Sequence, residues 1–95
     1  MLTNPQRFKP NYSAGINKGN SFTSDGFYMM YVQQWMKSTG SVGVRVTING
    51  MTYSYDSGGN WGSWVCPYII KKGDVVSLST DGTGILAYCF PMEAF

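Results

Sequence analysis

The dipeptide Asn49-Gly50 and the alternating residues on both sides of it constrain the fold of this chain more than any other feature. Two alternating strands joined by Asn-Gly predict a β-hairpin, because a type I′ turn needs a positive φ at both central positions. The period of two places alternate side chains on the same face of each strand. The residues that share a face are Val42, Val44, Val46 and Ile48 before the turn and Met51, Tyr53 and Tyr55 after it.

Other segments also have the pattern of strands. "FYMMYVQQW" is largely apolar on both faces, which predicts a central strand. Pro67 in "WVCPYII" predicts an edge position or a bulge, because proline cannot donate a ladder hydrogen bond. The remaining predicted strands are "VVSLST", "ILAYCF", which ends before Pro91, and a short strand "YSAGI". Turn signals at intervals of roughly 8–12 residues favour an all-β fold, a small antiparallel β-sandwich or barrel.

The length of 95 residues predicts one domain. Residues 1–10 are predicted to form an extended N-terminal arm or linker, bracketed by Pro5 and Pro10, and residues 11–95 the β-sandwich domain. The longest apolar run, "FYMMYV", is far shorter than a membrane span, so no membrane insertion is expected.

The chain has few charges and many aromatic side chains. Charged residues make up 13% and aromatic residues 16% of the sequence, whereas an average soluble domain carries about 25% charged residues. Such a domain has few groups with which to cover its surface, which favours a large interface with copies of itself or an aromatic binding surface. The net charge of +2 is scattered along the chain, and no nucleic-acid partner is expected.

The residues available for catalysis are few. Because the chain has no histidine, a catalytic dyad or triad with an imidazole base is excluded, and no enzymatic activity is expected. Cys66 and Cys89 are predicted to be free thiols, and two cysteines without histidine do not make a zinc site, so no metal or cofactor is expected. The acidic residues sit mostly beside glycines, as turn residues do; they are Asp25, Asp56, Asp74, Asp81 and Glu93.

The segment "MTYSYDSGGNWGSW" contains the candidate ligand-binding residues. Aromatic rings stack on the apolar faces of sugars, and short polar side chains bind sugar hydroxyls, so the residue types fit a carbohydrate site. The candidates are Trp61, Asn60, Asp56, Tyr55 and Tyr53. The alternative for Tyr53 and Tyr55 is packing against a neighbouring subunit.

The other two tryptophans are expected to have structural roles. Trp64 adjoins the strand "VCPYII" and is assigned to the core. Trp35 ends the predicted central strand and is assigned to the core or to an interface. Trp61 therefore remains the sharpest candidate for recognition.

The order of the strand and turn signals resembles the C1q/TNF-like jelly roll. The segments that carry the resemblance are "SFTSDGFYMMYVQQ", "VRVTINGMTY", "YIIKKGDVVSLSTDG" and "AYCFPM", within about residues 11 to 92. The chain is shorter than animal C1q-like domains, and it is more similar to small phage tail-fibre or tail-tip head domains. Those domains often begin with a polar segment such as "NYSAGINKGN".

The resemblance implies a homotrimer at the end of a fibre shaft. It also implies a virion protein, made in the host cytoplasm, that binds a bacterial surface receptor, either a glycan or a protein. Two alternatives are a structural knob that caps and registers a fibre trimer, and a carbohydrate-binding module of a larger protein. No motif of the family fixes the residues that contact the receptor.

Overall fold

The computed structural model describes residues 7–35, 43–56 and 63–95, and these residues form nine β-strands and no helix. The strands are β1 (Phe8–Pro10), β2 (Ile16–Gly19), β3 (Ser21–Thr23), β4 (Tyr28–Trp35), β5 (Gly43–Ile48), β6 (Met51–Asp56), β7 (Ser63–Ile70), β8 (Val75–Thr80) and β9 (Gly84–Ala94). The predicted all-β fold is confirmed. No helix long and apolar enough to cross a membrane occurs in the described segments.

The strands pair as in a long hairpin that has been rolled up. β5 pairs with β6, β4 with β7, β3 with β8 and β2 with β9, all antiparallel. Two further pairings, β4 with β9 and β5 with β8, close the roll into two sheets. The first sheet has the order β1-β9-β4-β7, with β2 also beside β9, and the second has the order β3-β8-β5-β6. This sandwich of two antiparallel sheets has the strand order of a jelly roll.

The core lies between the two sheets and follows the period of two along each strand. On β4, alternate residues from Tyr28 to Gln34 are buried, whereas Met29, Tyr31 and Gln33 face outward and are half-buried. On β5, Val44 and Val46 are fully buried, as the alternation predicts. The buried apolar side chains are Tyr28, Met30, Val32, Val44, Val46, Ile70, Val76, Leu78, Ala87 and Cys89. Val42 lies outside the described residues.

The Asn49-Gly50 turn has the predicted geometry. Asn49 has φ 52° and Gly50 has φ 81°, so both central residues take the positive φ of a type I′ turn. The Asn49 side chain also ties the turn to β8, because its Oδ1 accepts a hydrogen bond from Val75 N at 2.8 Å and its Nδ2 donates to Asp74 Oδ1 at 2.9 Å. The hairpin tip is thereby anchored to the neighbouring strand.

Two predicted positions in the first sheet are confirmed. β4 lies between β9 and β7, so it is a central strand. β7 is the edge strand of this sheet and contains Pro67 opposite Tyr31. An edge tolerates proline because one side of the strand has no partner that needs the missing N–H.

The prediction that the last strand ends before Pro91 is wrong, because β9 continues to Ala94. Pro91 O accepts a hydrogen bond from Asn11 N, while Met92 N donates to Phe27 O on the opposite side of the strand. The missing Pro91 donor therefore faces the connection between β1 and β2, where no ladder bond is lost. β1, formed by the end of the predicted arm, pairs with β9 beyond this proline.

The predicted strand "YSAGI" is also wrong, because residues 12–15 form a turn and β2 begins at Ile16. Asn11 sets this turn: its Oδ1 accepts hydrogen bonds from Ser13 N at 3.1 Å and Ser13 Oγ at 2.6 Å, and its carbonyl accepts one from Ala14 N. An asparagine side chain that bonds the backbone two residues on competes with strand pairing.

Candidate functional site

The outer faces of the two sheets differ in chemistry. The outer face of the first sheet is mostly apolar and aromatic, and we call it the aromatic face. Its residues are Met29, Tyr31, Gln33 and Trp35 on β4, Pro67 and Ile69 on β7, and Leu86, Tyr88 and Phe90 on β9. The outer face of the second sheet is mostly polar, and we call it the polar face. Its residues are Ser21 and Thr23 on β3, Gly43, Arg45 and Thr47 on β5, Thr52, Ser54 and Asp56 on β6, and Val75, Ser77 and Ser79 on β8.

Four aromatic rings form a cluster on the aromatic face. Tyr12, from the turn before β2, stacks edge-on against Phe90 at 5.3 Å, and Tyr31 meets the same ring edge-on at 5.4 Å. The Tyr88 ring is tilted against Phe90 at a centroid distance of 5.4 Å. With Gln33, these four side chains line an open cavity of about 340 Å³.

Two local features hold this aromatic cluster together. The Tyr12 and Tyr31 hydroxyls lie 3.2 Å apart, and this hydrogen bond raises the pKa of Tyr31. Gly15 lies directly beneath the rings of Tyr88 and Phe90, where an added Cβ would stand 2.8 Å from Phe90 Cε1. The glycine is required by this close approach, not by an unusual φ.

Trp35 is not a core residue. It ends β4 on the aromatic face and is 41% exposed, so the assignment to the core is wrong. The assignment to an interface stays a prediction. The side chain of Trp64, the other tryptophan assigned to the core, lies outside the described residues.

Of the described members of the predicted carbohydrate site, the structure brings Tyr55 and Asp56 to one pocket and leaves Tyr53 apart from it. Asp56 is exposed at the end of β6 and belongs to the polar face. Tyr53 and Tyr55 lie on the opposite face of the same strand, and Tyr53 is 46% exposed at a centroid distance of 6.4 Å from Tyr68. Tyr53 and Asp56 therefore do not converge on one surface. Asn60 and Trp61 lie outside the described residues, so their part of the predicted site stays a prediction.

Tyr55 packs against the core. Its side chain is half-buried, and its hydroxyl oxygen is buried. Burial raises the pKa of Tyr55 well above its ordinary value of 10.0. The neighbouring Cys66 thiol raises this pKa further, by a smaller amount. A ring that packs against the core cannot offer its whole face to a sugar.

A polar pocket opens on the polar face beside Asp56. Its volume is about 380 Å³, and it is lined by Gly43, Val44, Arg45, Ser54, Tyr55, Asp56 and Asp81. Gly43 pairs directly with Asp56, and Arg45 pairs with Ser54. Arg45 Nη1 lies 3.4 Å from Asp81 Oδ1, and each of these side chains is 50% exposed.

The backbone fixes Asp81 at this pocket. Asp81 N donates to Gly43 O at 3.2 Å, and Thr80 Oγ1 donates to the same carbonyl at 3.1 Å. A Cβ added to Gly43 would lie 3.0 Å from Asp81 Oδ2, which is closer than ordinary packing allows. The glycine therefore leaves space for the carboxylate, although the alternation of β5 alone did not mark this position as special.

The described residues offer few side chains for metal binding or thiol chemistry. Within the described segments, no three His, Cys, Asp or Glu side chains are grouped so that they could hold a metal ion. Cys66 and Cys89 are free thiols, as predicted. Cys89 is fully buried, and its burial raises the pKa of its thiol to about 11.

Comparisons of the chain with known protein families, with curated proteins and with solved structures find no match.

Proposed function

We propose that this domain is the non-enzymatic, homotrimeric head of a phage tail fibre, and that it binds a glycan on the bacterial surface. The observation that carries the proposal is the aromatic face, an apolar surface on one side only of a small sandwich. The resemblance of the strand and turn order to phage head domains supports the same assignment. In that assignment the protein belongs to the virion and follows the fibre shaft.

The aromatic face supports self-association. Ile69 is 51%, Trp35 41% and Tyr88 36% exposed, and all three lie on adjacent strands of one sheet. Large contiguous apolar patches are rare on monomers and mark interaction sites. We expect copies of the same chain to cover the aromatic face. The chain has few charged residues, and obligate interfaces between subunits are more apolar than other protein surfaces. Threefold packing of this face would bury it around the axis of a closed ring.

The polar face supports receptor binding by the same assembly. It lies on the opposite side of the sandwich from the aromatic face, so it stays accessible when the aromatic face is covered. Ser, Thr, Asp and Arg side chains on this face can exchange hydrogen bonds with sugar hydroxyls without burying unsatisfied groups. Asp56, one of the predicted ligand-binding residues, belongs to it.

Adsorption to bacteria tests the receptor-binding proposal. We expect the domain, fused to a fluorescent reporter through its N-terminus, to adsorb to cells of a susceptible strain. Trp61→Ala should weaken adsorption while the melting temperature and the oligomeric state stay unchanged. A lack of adsorption to every strain tested would contradict receptor binding.

A structural knob that caps the fibre is the second candidate. It is favoured by the position of the described aromatic cluster, which lies on the face proposed to meet sister copies and not around the polar pocket. A knob predicts a stable trimer that adsorbs to no cell. The same reporter experiment therefore separates the two functions.

A further inference from the structure

We infer that the polar pocket between β5, β6 and the end of β8 binds a neutral saccharide, with Arg45, Asp56 and Asp81 as its hydrogen-bonding groups. This inference rests on the proposed receptor-binding function and assigns that function a site. The pocket volume of about 380 Å³ falls within the range of small-ligand sites.

The groups of the pocket keep most of their hydrogen-bonding capacity for a ligand. A guanidinium carries five N–H donors, and each carboxylate accepts at several positions. The Arg45–Asp81 pair is half exposed, and exposed ion pairs contribute little to stability. A ligand can therefore share or replace this contact at small cost to the fold.

The positions of these groups are set by the sheet. Asp56 and Asp81 lie on either side of Gly43: Asp56 is directly opposite it on β6, and Asp81, the residue after β8, donates its backbone N–H to the Gly43 carbonyl. Arg45 lies two residues along the same strand and contacts Asp81. A site that is built on strand backbones needs little ordering when it binds, which favours affinity.

The charges of the pocket select against acidic sugars. Two carboxylates against one guanidinium leave a negative balance, which opposes a second anion at short range. Sugar hydroxyls donate to carboxylates and accept from a guanidinium, so a neutral sugar satisfies both. A uronic or sialic acid would bring a third carboxylate to a site that has one guanidinium.

Hydroxyl groups continue from the pocket across the polar face. Thr47 and Thr52 lie opposite each other with their Oγ1 atoms 2.9 Å apart, and Ser77 lies opposite Thr47 on the other side. Ser21 follows next to Ser77 on β3. This row offers further hydrogen bonds to a saccharide chain that extends beyond the pocket.

An array of purified bacterial surface polysaccharides, both neutral and uronic-acid-containing, tests the inference with the intact protein. We expect the wild type to bind neutral members, and the double variant Asp56→Asn, Asp81→Asn and the single variant Arg45→Met each to lose at least about tenfold in affinity. Glu93→Gln, which removes an exposed carboxylate beside β1 on the other sheet, is the matched control and should bind like the wild type. Circular dichroism and melting temperature confirm the fold of each variant.

The outcomes separate the inference from the proposed function. If the wild type binds a polysaccharide or adsorbs to cells and the pocket variants do so equally well, the site is elsewhere and only the inference is overturned. Binding restricted to acidic polysaccharides would also overturn it. If the wild type binds neither the array nor any cells, the receptor-binding function is overturned and the inference with it.

Discussion

Replacement of Gln34 by methionine should stabilise the protein. Gln34 is 0% exposed on the inner face of β4, and neither its Nε2 nor its Oε1 has a hydrogen-bond partner among the described residues. A buried polar group without a partner costs about 1–3 kcal/mol. Methionine has a similar length, bends to fill the same space and carries no strong polar group. We therefore expect Gln34→Met to raise the free energy of unfolding by about 1–3 kcal/mol.

Urea unfolding at fixed protein concentration measures this change, because association makes the stability of an oligomer depend on concentration. A gain of 1 kcal/mol corresponds to a rise of roughly 4–8 °C in melting temperature for a domain of this size. Ser79→Met is the matched control: Ser79 is an exposed residue of β8 on the polar face, away from the aromatic face, and a change within about 0.5 kcal/mol is expected there. A loss of stability in Gln34→Met would refute the reasoning, since it would show that the amide forms favourable contacts in the core.

Three other properties follow from the same structure. Maleimide should label Cys66 well before Cys89, which is fully buried and whose thiol pKa is raised to about 11; equal labelling rates, followed by mass spectrometry, would contradict this. Asn49→Ala should lower the free energy of unfolding by about 2 kcal/mol, because it loses two hydrogen bonds and places alanine at positive φ, and an unchanged urea midpoint would argue against it. Stability should fall as the pH rises from about 9 toward 12, because the pKa of Cys89 is raised from 9.0 to about 11 and those of two tyrosines are raised as well. The hydrogen bond to Asp25 raises the pKa of Tyr28, and burial that of Tyr68, from 10.0 to about 12, so folding favours their protonated forms; urea midpoints that stay constant from pH 8 to 12 would contradict this.

The hairpin and the buried face of β5 were predictable because their signals are local. Asn49-Gly50 requires an unusual backbone that few dipeptides supply, and the structure has it. Val44 and Val46 alternate with polar residues, so a sheet with one buried face can place them in only one way. Pro67 was informative for the same reason, since a missing donor restricts the strand that carries it.

The aromatic face was not predictable, because it depends on register between distant segments. Tyr31 on β4 and Tyr88 on β9 lie directly opposite each other, but nothing near either residue specifies that pairing. Tyr12 joins them from a turn that Asn11 sets, where the sequence suggested a strand. A shift of one residue in the register of either strand would place these rings on the inner face of the sheet, in the core.

The polar pocket was predictable only in part. Asp56 was a candidate because it stands beside aromatic residues in the sequence. Arg45 lies on β5 and Asp81 directly follows β8, and the two meet only because β5 lies between β6 and β8. Nothing in the sequence marked Gly43 as different from the other alternating residues of β5. The structure shows that the carboxylate of Asp81 lies where a side chain at position 43 would be.

Sedimentation equilibrium of the wild type and of Ile69→Lys, Tyr88→Lys tests most directly whether the aromatic face joins copies of the chain. Both positions are exposed on this face, and a charge buried in an interface without a partner strongly opposes association. The proposal predicts that the wild type sediments at micromolar concentration with three times the 10.5 kDa mass of the chain, and that the double variant is a folded monomer. A wild type that is monomeric at that concentration, or a double variant that remains trimeric, would contradict it.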